Sequence, residues 1–311
     1  MIDRREFLKR SAGSLAVGAG AFAGWESLTA APAASEQLRR RIPSSGERVP
    51  AVGMGTYRTF DVRAGSADRL RALREVLRIF YAAGGTVIDS SPMYGAAEQI
   101  FGDLSRGLQL NDDCFIATKV WTRGAAAGRR QMRESLRKLG RKQSLELMQI
   151  HNLVDWRAHL PELRRWQADG RARYLGVAHY TPRAFDEVER VLRSERFDFV
   201  QLPYSVAVRA AERRLLPFCR DRGSAVIVNR PYEGGDLFRA VRGQSLPGYA
   251  RELGCTSFGQ LFLKFLLAHP AVTSVIPATS KPRHMRDNMA AGLGPLPDAK
   301  LRERIAGLIQ P

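Results

Sequence analysis

Apolar and polar positions along the chain keep two different rhythms, and the two alternate. Short apolar or β-branched runs occur at Val52–Thr56, Thr86–Asp89, Phe115–Lys119 and Glu146–His151. Four more follow at Tyr174–Ala178, Phe199–Leu202, Ala225–Val228 and Thr273–Ile276. Their length and composition predict buried strands. Between most of them lie Arg/Leu/Ala stretches with apolar residues at helical spacing, such as Leu70–Ala83, Arg129–Leu139, His159–Ala168, Arg183–Arg193 and Phe258–Ala268. Strands that alternate with amphipathic helices form parallel sheets, because a crossover helix carries the chain back to the starting end. Eight such units in roughly 250 residues fit a closed, parallel (β/α)8 TIM barrel of the α/β class. An open doubly wound sheet is the competing architecture. Its dinucleotide-binding version carries a GxGxxG turn after the first strand, and this chain lacks one there. Ahead of the first strand, Arg41–Pro50 brackets Ser44-Ser45-Gly46 with apolar residues, which predicts a hairpin closing the barrel's bottom.

The first 33 of the 311 residues read differently. Asp3-Arg4-Arg5-Glu6-Phe7-Leu8-Lys9 sets adjacent arginines before an apolar pair, and a weakly apolar Ala/Gly stretch runs from Ala12 to Ala23. Ala31-Pro32-Ala33 then offers an A-x-A cleavage site. That order resembles a twin-arginine export signal. The expectation is a removable leader over 1–33 and a single barrel domain over 34–311. Export machinery is then a partner and the periplasm the location. An amphipathic or disordered extension is the competing reading. No run of about 18 strongly apolar residues occurs, so no stable membrane span is expected.

Composition adds a boundary condition. At 44% hydrophobic and 26% charged, the chain has ample material for a core and is not a disordered one. The net charge of +18 rests on 49 basic residues, 7 of them Lys and 42 Arg. Loss of the leader would remove four basic and three acidic residues and leave +17. The arginines are spread over helix faces, as at Arg69, Arg71, Arg74 and Arg78, with no interleaved aromatics. They predict a solvated basic surface rather than a nucleic-acid groove. Cys114, Cys219 and Cys255 are widely spaced and match no metal pattern. They read as buried thiols, with one disulfide as the alternative in an oxidising compartment.

In such a barrel the chemistry gathers at the C-terminal ends of the strands. The residues there are Thr56-Tyr57, Asp89, Lys119, His151, Ala178-His179, Gln201, Asn229-Arg230 and Pro277. Tyr94 follows Asp89 by five positions, in the next loop. An ammonium beside a phenol lowers the phenol's pKa, and a carboxylate keeps that ammonium charged and in place. An imidazole can orient a carbonyl oxygen. Together these groups suit protonation of the oxyanion formed when a carbonyl accepts hydride. None of them supplies electrons, so a bound reductant is implied. Singly, each has a plain structural reading: Asp89 as a turn cap, Lys119 as an ion-pair partner, His151 as a barrel-rim histidine.

The flanking residues carry a resemblance. Gly84-Gly85-Thr86-Val87-Ile88-Asp89-Ser90-Ser91-Pro92-Met93-Tyr94-Gly95 is similar to the signature of the aldo-keto reductase family. Phe115–Val120 and Leu147–Asn152 are similar to that family's lysine and histidine segments, and the match runs in order through the chain. The resemblance implies reduction of an aldehyde or ketone, with Tyr94 as general acid, Lys119 and Asp89 tuning it, and His151 positioning the carbonyl. It implies NADP(H) as cofactor, with NAD(H) as the alternative. Ile276–Asn288 resembles the stretch that grips the adenosine end, with Thr279, Ser280, Lys281 and Arg283 for a 2′-phosphate and Asp287 and Asn288 for the adenine. Thr56, Tyr57, His179 and Gln201, and Arg230, Pro231, Gly235 and Leu237 of a pyrophosphate-covering loop, complete the implied cofactor set. Trp121, Asn152 and Tyr180 are candidate substrate-pocket walls. Some positions depart from the family's pattern. Ala178-His179 stand where it commonly has Ser-Asn, Asn229 replaces an aromatic that stacks on the nicotinamide, and Ala278 and His284 occupy the usual phosphate-binding lysine and arginine positions. These departures keep a second reading open: an exported nucleotide-binding barrel that acts as a sensor or accessory protein without significant turnover.

Overall fold

The computed structural model describes residues 36–63 and 65–309; the leader expected over 1–33 lies outside the described residues. A hairpin comes first, β1 (Arg39–Arg41) against β2 (Arg48–Pro50), antiparallel with Arg41 opposite Arg48. Ile42 and Val49 are fully buried among the innermost side chains of the barrel, so the hairpin plugs its floor.

Eight parallel strands follow: β3 (Met54–Gly55), β4 (Val87–Asp89), β5 (Phe115–Val120), β6 (Leu145–His151), β7 (Ala172–Ala178), β8 (Phe199–Pro203), β9 (Ala225–Asn229) and β10 (Val272–Val275). Each pairs with its successor, and Val52 and Gly55 bridge to Val275 and Ala278, so the ring closes. The fold is a (β/α)8 barrel. The first strand is shorter than the run at Val52–Thr56 because the chain is squeezed there. A Cβ on Gly53 would stand 2.9 Å from the Val87 carbonyl oxygen, and one on Gly55 2.9 Å from that of Ile276. Glycine permits the close approach at a cost in ladder regularity.

Outside the ring lie α1 (Ala67–Ala82), α2 (Ala97–Gly107), α3 (Ala125–Lys138), α4 (Trp156–Ala168), α5 (Phe185–Ser194) and α6 (Leu215–Asp221). Two short helices, α7 (Asp236–Ala240) and α8 (Tyr249–Glu252), precede α9 (Phe258–Leu267), and α10 (Pro282–Ala290) and α11 (Ala299–Gly307) come last. Outward residues of the strands, such as Ile88, Ile116, Met148 and Val200, join the helices' buried faces in one continuous apolar cluster. At about 1.5–3 kcal/mol per buried large side chain, this layer is the main source of stability. Cys114, Cys219 and Cys255 are free and buried, and burial pushes their thiols up to about 12, 12 and 11. Among the described residues no helix is long and apolar enough to cross a membrane.

The barrel's interior changes character along its axis. Near the floor, the rings of Phe115, Tyr174 and Phe199 pack with centroids 5.5, 5.8 and 6.0 Å apart. One inward step up, Ala117, Leu147 and Ile227 continue the apolar filling. Strand side chains alternate faces, so the next inward residues are Lys119 on β5, Gln149 on β6 and Gln201 on β8. A polar layer thus lies beneath the C-terminal mouth.

Candidate active site

Asp89 ends β4 and Lys119 sits one residue before the end of β5, both pointing into the closed ring. The Lys119 ammonium lies 2.7 Å from each carboxylate oxygen of Asp89 and 2.8 Å from the Ser90 carbonyl. Its three protons are therefore all committed. Gln201 donates to the same Asp89 Oδ1 at 2.7 Å and Gln149 at 3.3 Å. The Lys119 and Asp89 side chains are only 0% and 3% exposed. Burial pulls the Lys119 pKa down, while the adjacent Asp89 carboxylate pulls it up less strongly. A pair this deep is tolerated because its remaining hydrogen-bonding capacity is used.

Tyr94 stands on the loop after β4, half-buried, with the Lys119 nitrogen 5.2 Å from its ring centroid. Its ring meets Tyr57 at 4.9 Å and meets His151 edge-on at 5.8 Å. The expectation that the ammonium lowers this phenol's pKa is corrected. Burial first, then the Asp89 carboxylate, then Tyr57, raise it well above 10.0. The lysine's charge is spent on Asp89, so the phenol meets a neutralised pair rather than a free cation. Tyr94 keeps its proton at any physiological pH.

His151 ends β6, with Nδ1 2.9 Å from Ser91 Oγ. Burial, then the Lys119 charge, then His179 drive its pKa down to about 2, so the ring is neutral. His179 is also lowered by burial. Its Nδ1 accepts the backbone N–H of Tyr180 at 3.0 Å and of Thr181 at 3.3 Å.

Above these groups opens a cleft of about 740 Å³, within the range of small-molecule sites. Asp89, Tyr94 and His151 line it, with Lys119 just beneath. Tyr57, Trp121, Tyr180 and Phe238 are the large exposed apolar side chains among the described residues, and all four border this one cleft. Apolar surface concentrated in a single concavity marks a binding site. Arg58 and Arg230 supply its cationic lining, both in the left-handed region at φ 59° and 53°. Such a conformation costs a side-chain-bearing residue on the order of 1–3 kcal/mol, and strain of this kind clusters at ligand sites.

The sequence model of the aldo/keto reductase family matches residues 51–305. This chain belongs to the aldo/keto reductase family. Methylglyoxal reductase YeaE of Escherichia coli (strain K12) is 25% identical over 260 residues, covering 81% of this chain and 89% of the relative. The NADH-specific methylglyoxal reductase of the same strain is 26% identical over 300 residues, covering 77% and 89%. Among solved structures, an aldo/keto reductase from Klebsiella pneumoniae in complex with NADP and acetate superposes with a TM-score of 0.72 at 26% identity. That match covers 86% of this chain and 93% of the Klebsiella protein.

Against the aldo/keto reductase pattern, the cleft gathers most of the expected residues. Besides the catalytic candidates it is lined by Tyr57, His179, Gln201, Arg230, Pro231 and Gly235, and by Trp121, Asn152 and Tyr180. Other candidates lie off its lining. Thr56 is fully buried, its hydroxyl 3.0 Å from the Asp89 carbonyl and 2.9 Å from Ser90 Oγ, and Leu237 packs in the core. Thr279 is buried beside exposed Ser280, Lys281 and Arg283, where α10 begins. Asp287 is taken up by Ser257 at 2.7 Å and Gln260 at 2.6 Å, and Asn288 by the Tyr232 hydroxyl at 2.8 Å. These last two tie α10 to neighbouring segments rather than opening toward the mouth.

The nicotinamide end fits the residues present. Asn229 Nδ2 donates to the His179 carbonyl at 2.9 Å, while its Oδ1, like Asn152 Oδ1, is buried with no protein partner. Two orphaned amide oxygens at the mouth suit the N–H groups of a carboxamide, so Asn229 and Asn152 would hold that group with His179 alongside. Gln149, Ser91, Arg58 and Phe238 were not singled out from sequence. Gln149 was findable, since it lies two residues before His151 on the same strand face. The left-handed backbone of Arg58 leaves no trace in the residue pattern.

Proposed function

We propose that this chain reduces a small aldehyde or ketone to the alcohol with a nicotinamide cofactor, NADPH in first place. The observation that carries the reading is the convergence of a protonated Tyr94, a neutral His151 and the Lys119–Asp89 pair on one aromatic-walled cleft. The E. coli relatives are named for methylglyoxal reduction, and the Klebsiella structure holds NADP. One relative is named NADH-specific, so the reductant choice turns on this chain's own adenosine-end residues, Lys281 and Arg283 foremost.

Bound in the cleft, the cofactor supplies the hydride that reaches the carbonyl carbon. The protein's work is done at the oxygen. His151 holds that oxygen, and the Tyr94 hydroxyl gives it the proton that completes the alcohol. An alkoxide is a stronger base than a phenolate, which favours this transfer. Solvent then returns the proton to Tyr94. Lys119 and Asp89 fix the local field and hold the strand ends in place.

Export by the twin-arginine route, followed by removal of residues 1–33, belongs to the same proposal and rests on the arginine pair and the Ala31-Pro32-Ala33 site alone. A route that carries folded proteins suits an enzyme that loads its cofactor before export. The test is direct. Mature protein is mixed with NADPH or NADH, fluorescence reports binding, and absorbance reports oxidation across a panel of short aldehydes that includes methylglyoxal. Aldehyde-dependent oxidation of NADPH supports the reading. Binding with no oxidation on any carbonyl overturns it in favour of a nucleotide-binding barrel.

A further inference from the structure

Ser91 is a buried hydroxyl next to the site. It lies two residues past the end of β4 and is 0% exposed. Its Oγ has two partners: the backbone N–H of Met93, which donates to it at 3.2 Å, and His151 Nδ1 at 2.9 Å. The Met93 contact is a short side-chain turn that Pro92 helps to fix. The Ser91 carbonyl also accepts the N–H of Tyr94 at 3.0 Å, so one residue ties the tyrosine's loop to the histidine's ring.

Two proton arrangements fit the Ser91–His151 contact. If Nδ1 carried the hydrogen, Ser91 Oγ would accept from both Met93 and His151, and its own hydrogen would be buried with no acceptor. If the hydroxyl donates to Nδ1, every group in the chain of bonds is satisfied and the imidazole hydrogen sits on Nε2. Buried donors without acceptors are costly, so the second arrangement wins. We infer that Ser91 is a positioning residue that fixes His151 as the Nε2–H tautomer, so that the ring presents a donor to the substrate oxygen. The opposite tautomer would present a lone pair to another lone pair and repel a carbonyl. The consequence for catalysis rests on the reductase reading; the tautomer itself does not.

The experiment is a long-range ¹H–¹⁵N correlation spectrum of the imidazoles in the full-length protein, without cofactor or substrate. The His151 signals are assigned by their loss in His151→Gln. The wild type is expected to show an unprotonated Nδ1 and a protonated Nε2 with no exchange between tautomers. In Ser91→Ala an Nδ1–H population appears and kcat falls about three- to tenfold, with the Kd for NADPH unchanged; Ser91→Thr restores both. A protonated Nδ1 in the wild type overturns the inference, as does a Ser91→Ala spectrum identical to it. The expected spectrum in a protein that turns over no carbonyl keeps the tautomer assignment and overturns only the reductase reading.

Discussion

The two ends of this barrel are built from the same strands by the same alternation, yet they do opposite work. On β5 the inward residues run Phe115, Ala117, Lys119, and on β6 they run Leu147, Gln149, His151. At the floor, the rings of Phe115, Tyr174 and Phe199 fill space by contact, and only the Tyr174 hydroxyl reaches further, to Ser45 at 2.7 Å and Glu47 at 2.6 Å. At the mouth, the buried ion pair is held by several polar groups at once: Asp89 alone takes Lys119, Gln201 and Gln149. The difference teaches where precision is needed. An apolar plug tolerates imprecise packing and fails gradually, whereas a buried ion pair fails as a unit when one member is lost.

Lys119→Met breaks the comparison most severely. It leaves Asp89 buried and unpaired, and is expected to cost about 3–5 kcal/mol of stability as well as turnover. Urea unfolding followed by circular dichroism, together with NADPH oxidation, checks both. Adding Asp89→Leu to that change is expected to restore most of the stability and none of the activity. Phe199→Ala at the floor is expected to cost a similar ~3–5 kcal/mol, while kcat/KM of the folded fraction stays within about twofold of wild type. Loss of turnover in that variant would mean that the two ends are coupled more tightly than the layered interior implies.

Acid sharpens the same contrast gradually, one pH unit at a time. His151 titrates at about 2 in the folded protein against 6.5 when unperturbed. Between those values the unfolded chain binds a proton that the folded one refuses. Stability from this group is therefore complete above pH 6.5 and lost as pH falls through that window, by about 1.4 kcal/mol per pH unit. His151→Gln is expected to flatten the slope of unfolding free energy against pH below 6 by about that amount. An unchanged slope would show that the imidazole is charged in the native state.

Much of the mouth was legible because position along a strand is a strong constraint. Asp89, Lys119 and His151 fall at predicted strand ends, and Tyr94 follows Asp89 at a fixed interval, so the period of two and the strand boundaries sufficed to bring them together. The hairpin was legible too, from apolar residues flanking Ser44-Ser45-Gly46. What stayed hidden depends on several bodies at once. The direction of the Tyr94 pKa turns on whether Lys119 keeps a free charge, and only in the folded barrel do Asp89 and the Ser90 carbonyl consume it. Asp287 and Asn288 carry oxygens that suit an adenine amine, and pattern alone cannot say that Ser257, Gln260 and Tyr232 already donate to them. Backbone strain at Arg58 and Arg230 is invisible in principle, since neither residue type announces a left-handed conformation.

The central claim is that the Tyr94 hydroxyl, not a water molecule or another side chain, protonates the reduced oxygen. Tyr94→Phe tests it by removing one oxygen atom and leaving the ring against Tyr57 and His151. The account predicts an unchanged Kd for NADPH and a single-turnover reduction rate at least about 100-fold lower. A variant that binds NADPH as before and reduces the same aldehyde at the wild-type rate would contradict it.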